Sequence, residues 1–201
     1  MELIILDIIG TIAFALAGYI VSSRENYDLL GITLISYVTA FAGGVTRDIM
    51  IGNIPGIFLN NYSLVVVFFV IILGIFLKYH NEEKLEENKL FIIADTIGLS
   101  TFAYTGAIVG ITASLNFGGV IFLALISAIG GSLFRDIIMN KEVYVLKEGF
   151  YGAVAIIVGI LVFTINFYFS MNTVFTLSII LFGIIIRLMA IKYNWYLHRF
   201  L

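Results

Sequence analysis

Two stretches of the chain combine adjacent glycines with an Arg-Asp pair, and together they could support the chemistry of cation permeation. Residues 42–48 read Ala-Gly-Gly-Val-Thr-Arg-Asp, and residues 130–136 read Gly-Gly-Ser-Leu-Phe-Arg-Asp. Adjacent glycines in a helix make a kink less costly and remove side-chain bulk. A kink frees backbone carbonyl oxygens, and in a protein interior these oxygens can coordinate a cation that has lost part of its hydration shell.

Small hydroxyl side chains recur at helical spacing beside the glycines and predict one wettable face on each segment. The residues predicted to line or kink a pore are Gly43, Gly44, Gly130, Gly131, Ser132, Ser36, Thr39 and Ser127. Close helix packing through small residues, as in GxxxG contacts, is the alternative reading of the same glycines. The duplication of the motif before a charge pair favours the functional reading.

Charged residues at the ends of apolar runs need partners, because a charge in lipid is costly. Those predicted to form charge pairs or to act in gating are Asp7, Arg47, Asp48, Asp95, Arg135 and Asp136. Consecutive residues on a helix point in different directions, so the expected pairs are Asp7 with Arg47 and Asp95 with Arg135. Extension of both arginines to the lipid headgroups is the alternative.

The composition indicates what kind of chain must position these residues. Of 201 residues, 61% are hydrophobic and 12% are charged, far from the roughly 25% charged residues of soluble proteins. The formal net charge of −2 argues against a nucleic-acid partner, and the chain has no cysteine for disulfides or thiolate metal sites. We expect an all-α integral membrane protein whose partners are lipids, with no cofactor and no enzymatic activity.

Apolar runs bounded by charges predict seven transmembrane helices. Their approximate ranges are 3–21, 29–46, 62–79, 90–111, 116–134, 148–168 and 172–191. Seven spans place the termini on opposite sides, and every Lys or Arg except Arg47 then lies on the side of the C-terminus. The positive-inside rule predicts an N-terminus outside and a cytoplasmic C-terminus.

An internal repeat accounts for six of these helices. Adding 88 to a position number carries Asp7 to Asp95 and Gly43 to Gly131, and it also superposes the two Arg-Asp pairs. Three helices per copy invert the second copy in the membrane. The chain is therefore predicted to be one membrane domain, 1–201, with inverted repeats at about 1–80 and 89–168 and a seventh helix at about 172–192.

The doubled motif in a layout of three, three and one helices resembles the prokaryotic TRIC (trimeric intracellular cation) channel family, whose repeat is also described as a glycine transporter domain. The resemblance spans the chain. It implies a homotrimer in the plasma membrane, with a pore in each protomer that is lined by kinked helices 2 and 5 and conducts K⁺ or Na⁺. Family members often have three consecutive glycines, whereas here Ala42 and Ser132 each take one of those places.

Three function classes remain open at this point, and the third is a structural or signalling membrane protein without a permeation path, in which side chains would fill the polar stripes on helices 2 and 5. The leading hypothesis is a monovalent cation (potassium) channel, and the alternative is a secondary transporter of a small zwitterion such as glycine, because inverted repeats with broken helices also suit alternating access. For assembly, helix 7 and the flat surfaces of helices 1 and 4 are expected to join protomers, rather than helices 2 and 5. The glycines that would form these surfaces are Gly10, Gly18, Gly98 and Gly106.

Overall fold

The computed structural model of the protein describes residues 2–25, 27–77, 88–147, 150–169 and 171–195, and the secondary structure in these ranges is entirely α-helical. In chain order the helices are α1 (Glu2–Ser22), α2 (Leu29–Met50), α3 (Gly56–Leu59), α4 (Tyr62–Phe76), α5 (Lys89–Thr112), α6 (Phe117–Ile138), α7 (Tyr144–Lys147), α8 (Tyr151–Tyr168) and α9 (Thr173–Lys192). Asparagine or aspartate side chains cap the amide groups at the start of α2, α5, α6 and α9.

Six helices within the described ranges are long and apolar enough to cross a membrane: α1, α2, α5, α6, α8 and α9. The protein is therefore a multi-pass membrane protein. The third predicted span corresponds to α4, which is apolar but has only 15 residues. Residues 78–79 of that predicted span lie outside the described residues, as do 148–149 at the start of the sixth.

The two helices that carry the glycine motifs extend one turn further than the sequence predicted. α2 ends at Met50 rather than near 46, and α6 ends at Ile138 rather than near 134. The predicted ends assumed that a helix in an apolar run stops at its first charge. Arg47 and Arg135 instead lie in the last helical turn, where a cation interacts favourably with the helix dipole.

Matching turns and short helices follow α2 and α6. Gly52 after α2 and Asn140 after α6 both have positive φ, at 75° and 51°, and their positions differ by 88. Each turn is closed by a hydrogen bond to the carbonyl of the motif aspartate, from the amide of Asn53 in one case and of Lys141 in the other. The short helices α3 and α7, which the sequence analysis did not predict, begin at positions that also differ by 88.

Helices α1 and α5 form the centre of the bundle, and they pack through reciprocal contacts between glycine and phenylalanine. A methyl group at Gly10 would lie 2.9 Å from the ring of Phe102, and one at Gly98 would overlap the ring of Phe14. The two rings stack on each other with centroids 5.3 Å apart. The four glycines expected at protomer interfaces all make close contacts inside one protomer: Gly10 and Gly98 with these rings, Gly18 with Thr39, and Gly106 with Ser127. That expectation was wrong, because these small residues are already occupied within the chain.

The last helix, α9, packs against α5 and α8. Gly183 of α9 allows close approach to Ser100 of α5, whose hydroxyl would lie 3.0 Å from an added methyl group. Near the other end of the contact, the hydroxyls of Tyr104 and Thr176 hydrogen-bond at 2.7 Å. These contacts place one side of α9 next to the charged residues at the ends of α5 and α6, which matters for the site described below.

Candidate functional site

The glycine pairs lie where α2 crosses α6, and three of the four glycines are in the contact. A methyl group at Gly43 would overlap the carbonyl oxygen of Ser127, and one at Gly131 would overlap the carbonyl oxygen of Thr39. A methyl group at Gly130 would lie 2.7 Å from the Cα atom of Gly43. Small residues here let two helix backbones touch.

The helices are continuous through both glycine pairs. The α-helical conformation runs without interruption over Leu29–Met50 and over Phe117–Ile138. The structure therefore has no break at these glycines, because each helix stays regular while the glycines accommodate the neighbouring backbone. Gly44 differs from the others: the nearest atom to an added methyl group is a guanidinium nitrogen of Arg47 at 3.8 Å.

The hydroxyl side chains predicted to line a path are fully buried along this crossing. Ser36, Thr39 and Ser127 each donate to the carbonyl four residues earlier, at 2.7–2.8 Å, and Ser132 donates to the carbonyl of Ile129 at 3.0 Å. A hydroxyl that donates within its own helix still has acceptor capacity toward a cation. The polar stripe thus exists, but here it is closed by helix packing.

Each motif arginine binds the aspartate beside it. Arg47 Nε donates to Asp48 Oδ1 at 2.7 Å, and Arg135 Nε donates to Asp136 Oδ1 at 2.8 Å. The expected partner Asp7 lies further away, with its Oδ1 4.0 Å from Arg47 Nη1. The expectation that neighbouring Arg and Asp would not meet was wrong, because the long arginine side chain turns back so that its Nε reaches the adjacent carboxylate.

The cluster of Asp7, Arg47 and Asp48, hereafter the α2-end cluster, borders two cavities. One cavity has a volume of about 30 Å³ and the other about 160 Å³, and both are lined by Asp7 and Arg47. The side chain of Asp7 is 34% exposed. The second oxygen of Asp48 accepts from the amide of Gly56 at 3.2 Å, so this carboxylate has two partners.

The cluster of Asp95, Arg135, Asp136, Tyr151 and Arg187, hereafter the α6-end cluster, is sealed. Asp95 accepts from the hydroxyl of Tyr151 at 3.1 Å, and the guanidinium of Arg187 lies over the ring of Tyr151 at 4.8 Å. All five residues are at most 3% exposed. Both Arg135 and Arg187 attract the carboxylate of Asp95, although Asp95 and Arg135 do not form a direct ion pair among the described contacts.

The two clusters also differ in net charge. The α2-end cluster has two carboxylates and one guanidinium, so its formal charge is −1 when all three are ionised. The α6-end cluster has two carboxylates and two guanidiniums and is formally neutral, because α9 contributes Arg187. One end of the protein therefore presents an open, negatively charged recess, and the other presents a closed, neutral one. Within the described residues no group of three or more His, Cys, Asp or Glu is arranged to hold a metal ion.

Comparison with known proteins identifies the family. The sequence model of a family described as "Glycine transporter" matches the chain twice, at residues 4–79 and 92–166. A UPF0126 membrane protein of Bacillus subtilis is 34% identical over 161 residues, which cover 79% of this chain and 78% of that protein. The structure of a prokaryotic TRIC channel in 0.5 M KCl is 31% identical, with a TM-score of 0.85, over 98% of this chain and 99% of that one. This chain belongs to the TRIC family.

A second TRIC structure, described for conductance through TRIC cation channels, has 28% identity and a TM-score of 0.86 over 97% of this chain and 95% of that one. The resemblance drawn from the doubled motif is therefore confirmed, and the TRIC fold is shared over almost the whole chain. The relatives are named as membrane proteins, in agreement with the six apolar spans.

Two residues of the α6-end cluster of this TRIC protein, Tyr151 and Arg187, were not predicted from the sequence. Tyr151 lies in none of the sequence motifs, and no role was predicted for it. Arg187 was counted only among basic residues near span ends, yet it lies 5 residues before the end of α9, inside an apolar helix. An arginine within an apolar span is a functional candidate by default, and that signal could have singled it out.

Removing the hydroxyl of Tyr151 tests how strongly the α6-end cluster is held. Tyr151→Phe keeps the ring under Arg187 but leaves Asp95 without this donor, so we expect the free energy of unfolding in detergent micelles to fall by about 1.5–3 kcal/mol. Tyr104→Phe removes a neutral bond to Thr176 and should lower it by about 0.5–1.5 kcal/mol. Equal losses in the two variants would contradict a charged acceptor at Asp95.

Proposed function

We propose that this TRIC protein is a monovalent cation channel that conducts potassium. The observation that carries the proposal is the match to a prokaryotic TRIC channel over 98% of this chain. The negative charge and cavities of the α2-end cluster support it, because a recess with excess carboxylate concentrates cations at a pore mouth. Na⁺ is the other permeant ion that we expect, since nothing in a hydroxyl-lined path excludes it.

The proposed pore runs between α2 and α6, along the stripe of Ser36, Thr39 and Ser127. In the present conformation the path is closed where Gly43 and Gly131 bring the two backbones together. Opening requires the helices to separate or bend there, and the glycines remain the positions where a bend is least costly. The charge clusters at the two ends of the path would then set the field along it.

Several features of assembly and topology belong to the same proposal. The chain is one membrane domain, 1–201, with inverted repeats at about 1–80 and 89–168, a seventh helix at about 172–192, and α4 as the remaining span. The two matches of one family model and the contacts related by an offset of 88 support the repeat. We propose a homotrimer in a prokaryotic plasma membrane, with the N-terminus outside, as the asymmetry of basic residues indicates.

The alternative is a secondary transporter of a small zwitterion such as glycine, which the description of the matching family favours. A zwitterion needs a cation and an anion within one cavity, and Arg47 and Asp7 both line the 160 Å³ cavity. Planar bilayers separate the two functions. A channel gives discrete single-channel steps whose reversal potential follows the K⁺ gradient, whereas a carrier gives no steps but takes up labelled glycine into proteoliposomes.

Asp7→Asn tests the contribution of the α2-end cluster to conduction. We expect the unit conductance to fall by about twofold at 0.1 M salt and by less at 1 M, because the Debye length shrinks from about 10 Å to about 3 Å. Asp28→Asn is the matched control: Asp28 caps α2, and Asn116 performs the same capping at α6. A salt-independent loss, or an equal loss in the control, would argue against an electrostatic role for Asp7.

A further inference from the structure

The smaller cavity of the α2-end cluster is lined by two buried hydroxyl side chains as well as by charges. Thr11 of α1 is 1% exposed and Ser63 of α4 is 6% exposed, and both line the 30 Å³ cavity with Asp7. No hydrogen bond of either hydroxyl occurs among the described residues, and neither oxygen is one of the fully buried, unbonded polar atoms, so both oxygens face open space. Because a hydroxyl oxygen accepts as well as donates, both side chains can bind a polar group or an ion that enters the cavity.

The corresponding positions at the other end of the protein are filled. Adding 88 carries Thr11 to Leu99 and Ser63 to Tyr151. Both of these residues are 0% exposed, and Tyr151 donates its hydroxyl to Asp95. The two ends therefore share the same Asp, Arg and Asp, but only the α2-end cluster combines them with small hydroxyl side chains that leave a cavity.

The charge of the cavity indicates the sign of its occupant. Its charged lining residues are Asp7, Arg47 and Asp48, and Arg47 is bonded to Asp48 at 2.7 Å. Oδ1 of Asp7 lies 4.0 Å from Nη1 of Arg47, so Asp7 interacts with the guanidinium more weakly than Asp48 does. An anion would face two carboxylates and one guanidinium. A cation beside Asp7 would meet one carboxylate and two hydroxyl oxygens, while the guanidinium of Arg47 is held by Asp48.

The size and ligand set narrow the class of cation. A cavity of 30 Å³ has room for about two water-sized groups. A divalent cation such as Ca²⁺ takes about 6–8 oxygen ligands, commonly with several carboxylates, and the cavity offers a single carboxylate outside the tight Arg47–Asp48 pair. Hydroxyl and carboxylate oxygens with one net negative charge suit one monovalent cation that keeps part of its hydration shell.

We propose that the cavity between α1, α2 and α4 is a binding site for a single monovalent cation, coordinated by Asp7, Thr11 and Ser63. This site rests on the proposed channel function and deepens it by naming where a permeant ion pauses. Ions reach it from the 160 Å³ cavity, which shares Asp7 and Arg47 with the smaller one. The α6-end cluster has no equivalent site, because Leu99 and Tyr151 occupy it.

Ion binding at this site can be measured by the melting temperature of the purified full-length chain in different salts. We expect the melting temperature to rise as KCl replaces N-methyl-D-glucamine chloride at constant ionic strength, since a ligand that binds only the folded state stabilises it. Thr11→Val and Ser63→Ala should raise the half-saturating K⁺ concentration by about tenfold. Ser100→Ala removes an equally buried hydroxyl that lies outside both cavities and should leave the K⁺ response unchanged.

Crystals soaked in Tl⁺, whose size is close to that of K⁺, locate the ion by anomalous scattering. We expect one peak between Asp7, Thr11 and Ser63, and its loss in Ser63→Tyr, which introduces at the α2 end the residue that fills the α6 end. Water alone in the cavity together with an unchanged K⁺ response in Thr11→Val would overturn the proposal. If Ser63→Tyr misfolds, Thr11→Val and Ser63→Ala still test the site, because they remove no hydrogen bond within the described residues.

Failure of this site and failure of the channel function give different results. Single-channel K⁺ currents without a Tl⁺ peak or a K⁺-dependent melting shift would contradict the site and leave the channel intact. A Tl⁺ peak and a K⁺-dependent shift without currents would contradict the channel and leave the site as a structural or carrier ion site.

Discussion

Gly131→Ala is expected to destabilise the protein by about 3 kcal/mol, although it adds a single methyl group. The added carbon would overlap the carbonyl oxygen of Thr39, which belongs to the backbone of a neighbouring helix and cannot rotate away. Relief requires α2 and α6 to move apart along their whole contact. Equilibrium unfolding in mixed detergent micelles measures the loss.

Gly44→Ala is the matched control, because it changes a glycine of the same motif on the partner helix. An added methyl group there has only a guanidinium nitrogen of Arg47 nearby, at 3.8 Å. Since alanine favours a helix over glycine, we expect this variant to be unchanged or more stable by up to about 1 kcal/mol. Equal destabilisation of both variants would show that the helix crossing is not the origin of the effect.

The same pair of variants separates packing from gating. If a bend at the glycine pair opens the pore, Gly44→Ala lowers the open probability in bilayers while the protein stays folded, because alanine stiffens the helix without filling the crossing. An unaltered open probability would assign the opening movement to a separation of straight helices.

Most of the fold was predictable because its signals are local or periodic. Apolar runs indicated the helices, and paired Asp, Gly and Arg-Asp positions at one offset predicted a repeat, with which the matching turns after α2 and α6 agree. The short helices α3 and α7 were not predictable, since four residues carry no periodicity. The contact partners of Gly10 and Gly98 were also not predictable, because a small residue indicates close packing but does not indicate which element packs against it.

The candidate site was predictable in its residue types and less so in its geometry. The sequence indicated that Arg47 and Arg135 need carboxylates, and both have them. The choice between two nearby carboxylates depended on side-chain conformation, which spacing along a helix does not determine. The contribution of Arg187 depended on where α9 packs, and that is a tertiary contact of a helix outside the proposed repeat.

The same substitution at the two motif arginines should have very different consequences. Arg135→Gln leaves Asp136 and Asp95 in a cluster that is almost inaccessible, with Asp136 3% exposed. Removing one partner of a buried ion pair typically costs about 3–5 kcal/mol, and we expect a loss in that range. Arg47→Gln leaves carboxylates that border cavities, and Asp48 keeps the amide of Gly56. We therefore expect about 1–2 kcal/mol there.

Double variants test whether an unpaired buried charge causes the loss of stability. Arg135→Gln combined with Asp136→Asn removes both members of the pair, so it should recover part of the stability lost in Arg135→Gln, as measured by unfolding in mixed micelles. Asp48→Asn added to Arg47→Gln should recover less, because that carboxylate borders a cavity and keeps the amide of Gly56 as a donor. Similar losses at Arg47 and Arg135, or no recovery in the Arg135 double variant, would mean that the arginine side chains act through packing and that the neutral, sealed character of the α6-end cluster contributes little.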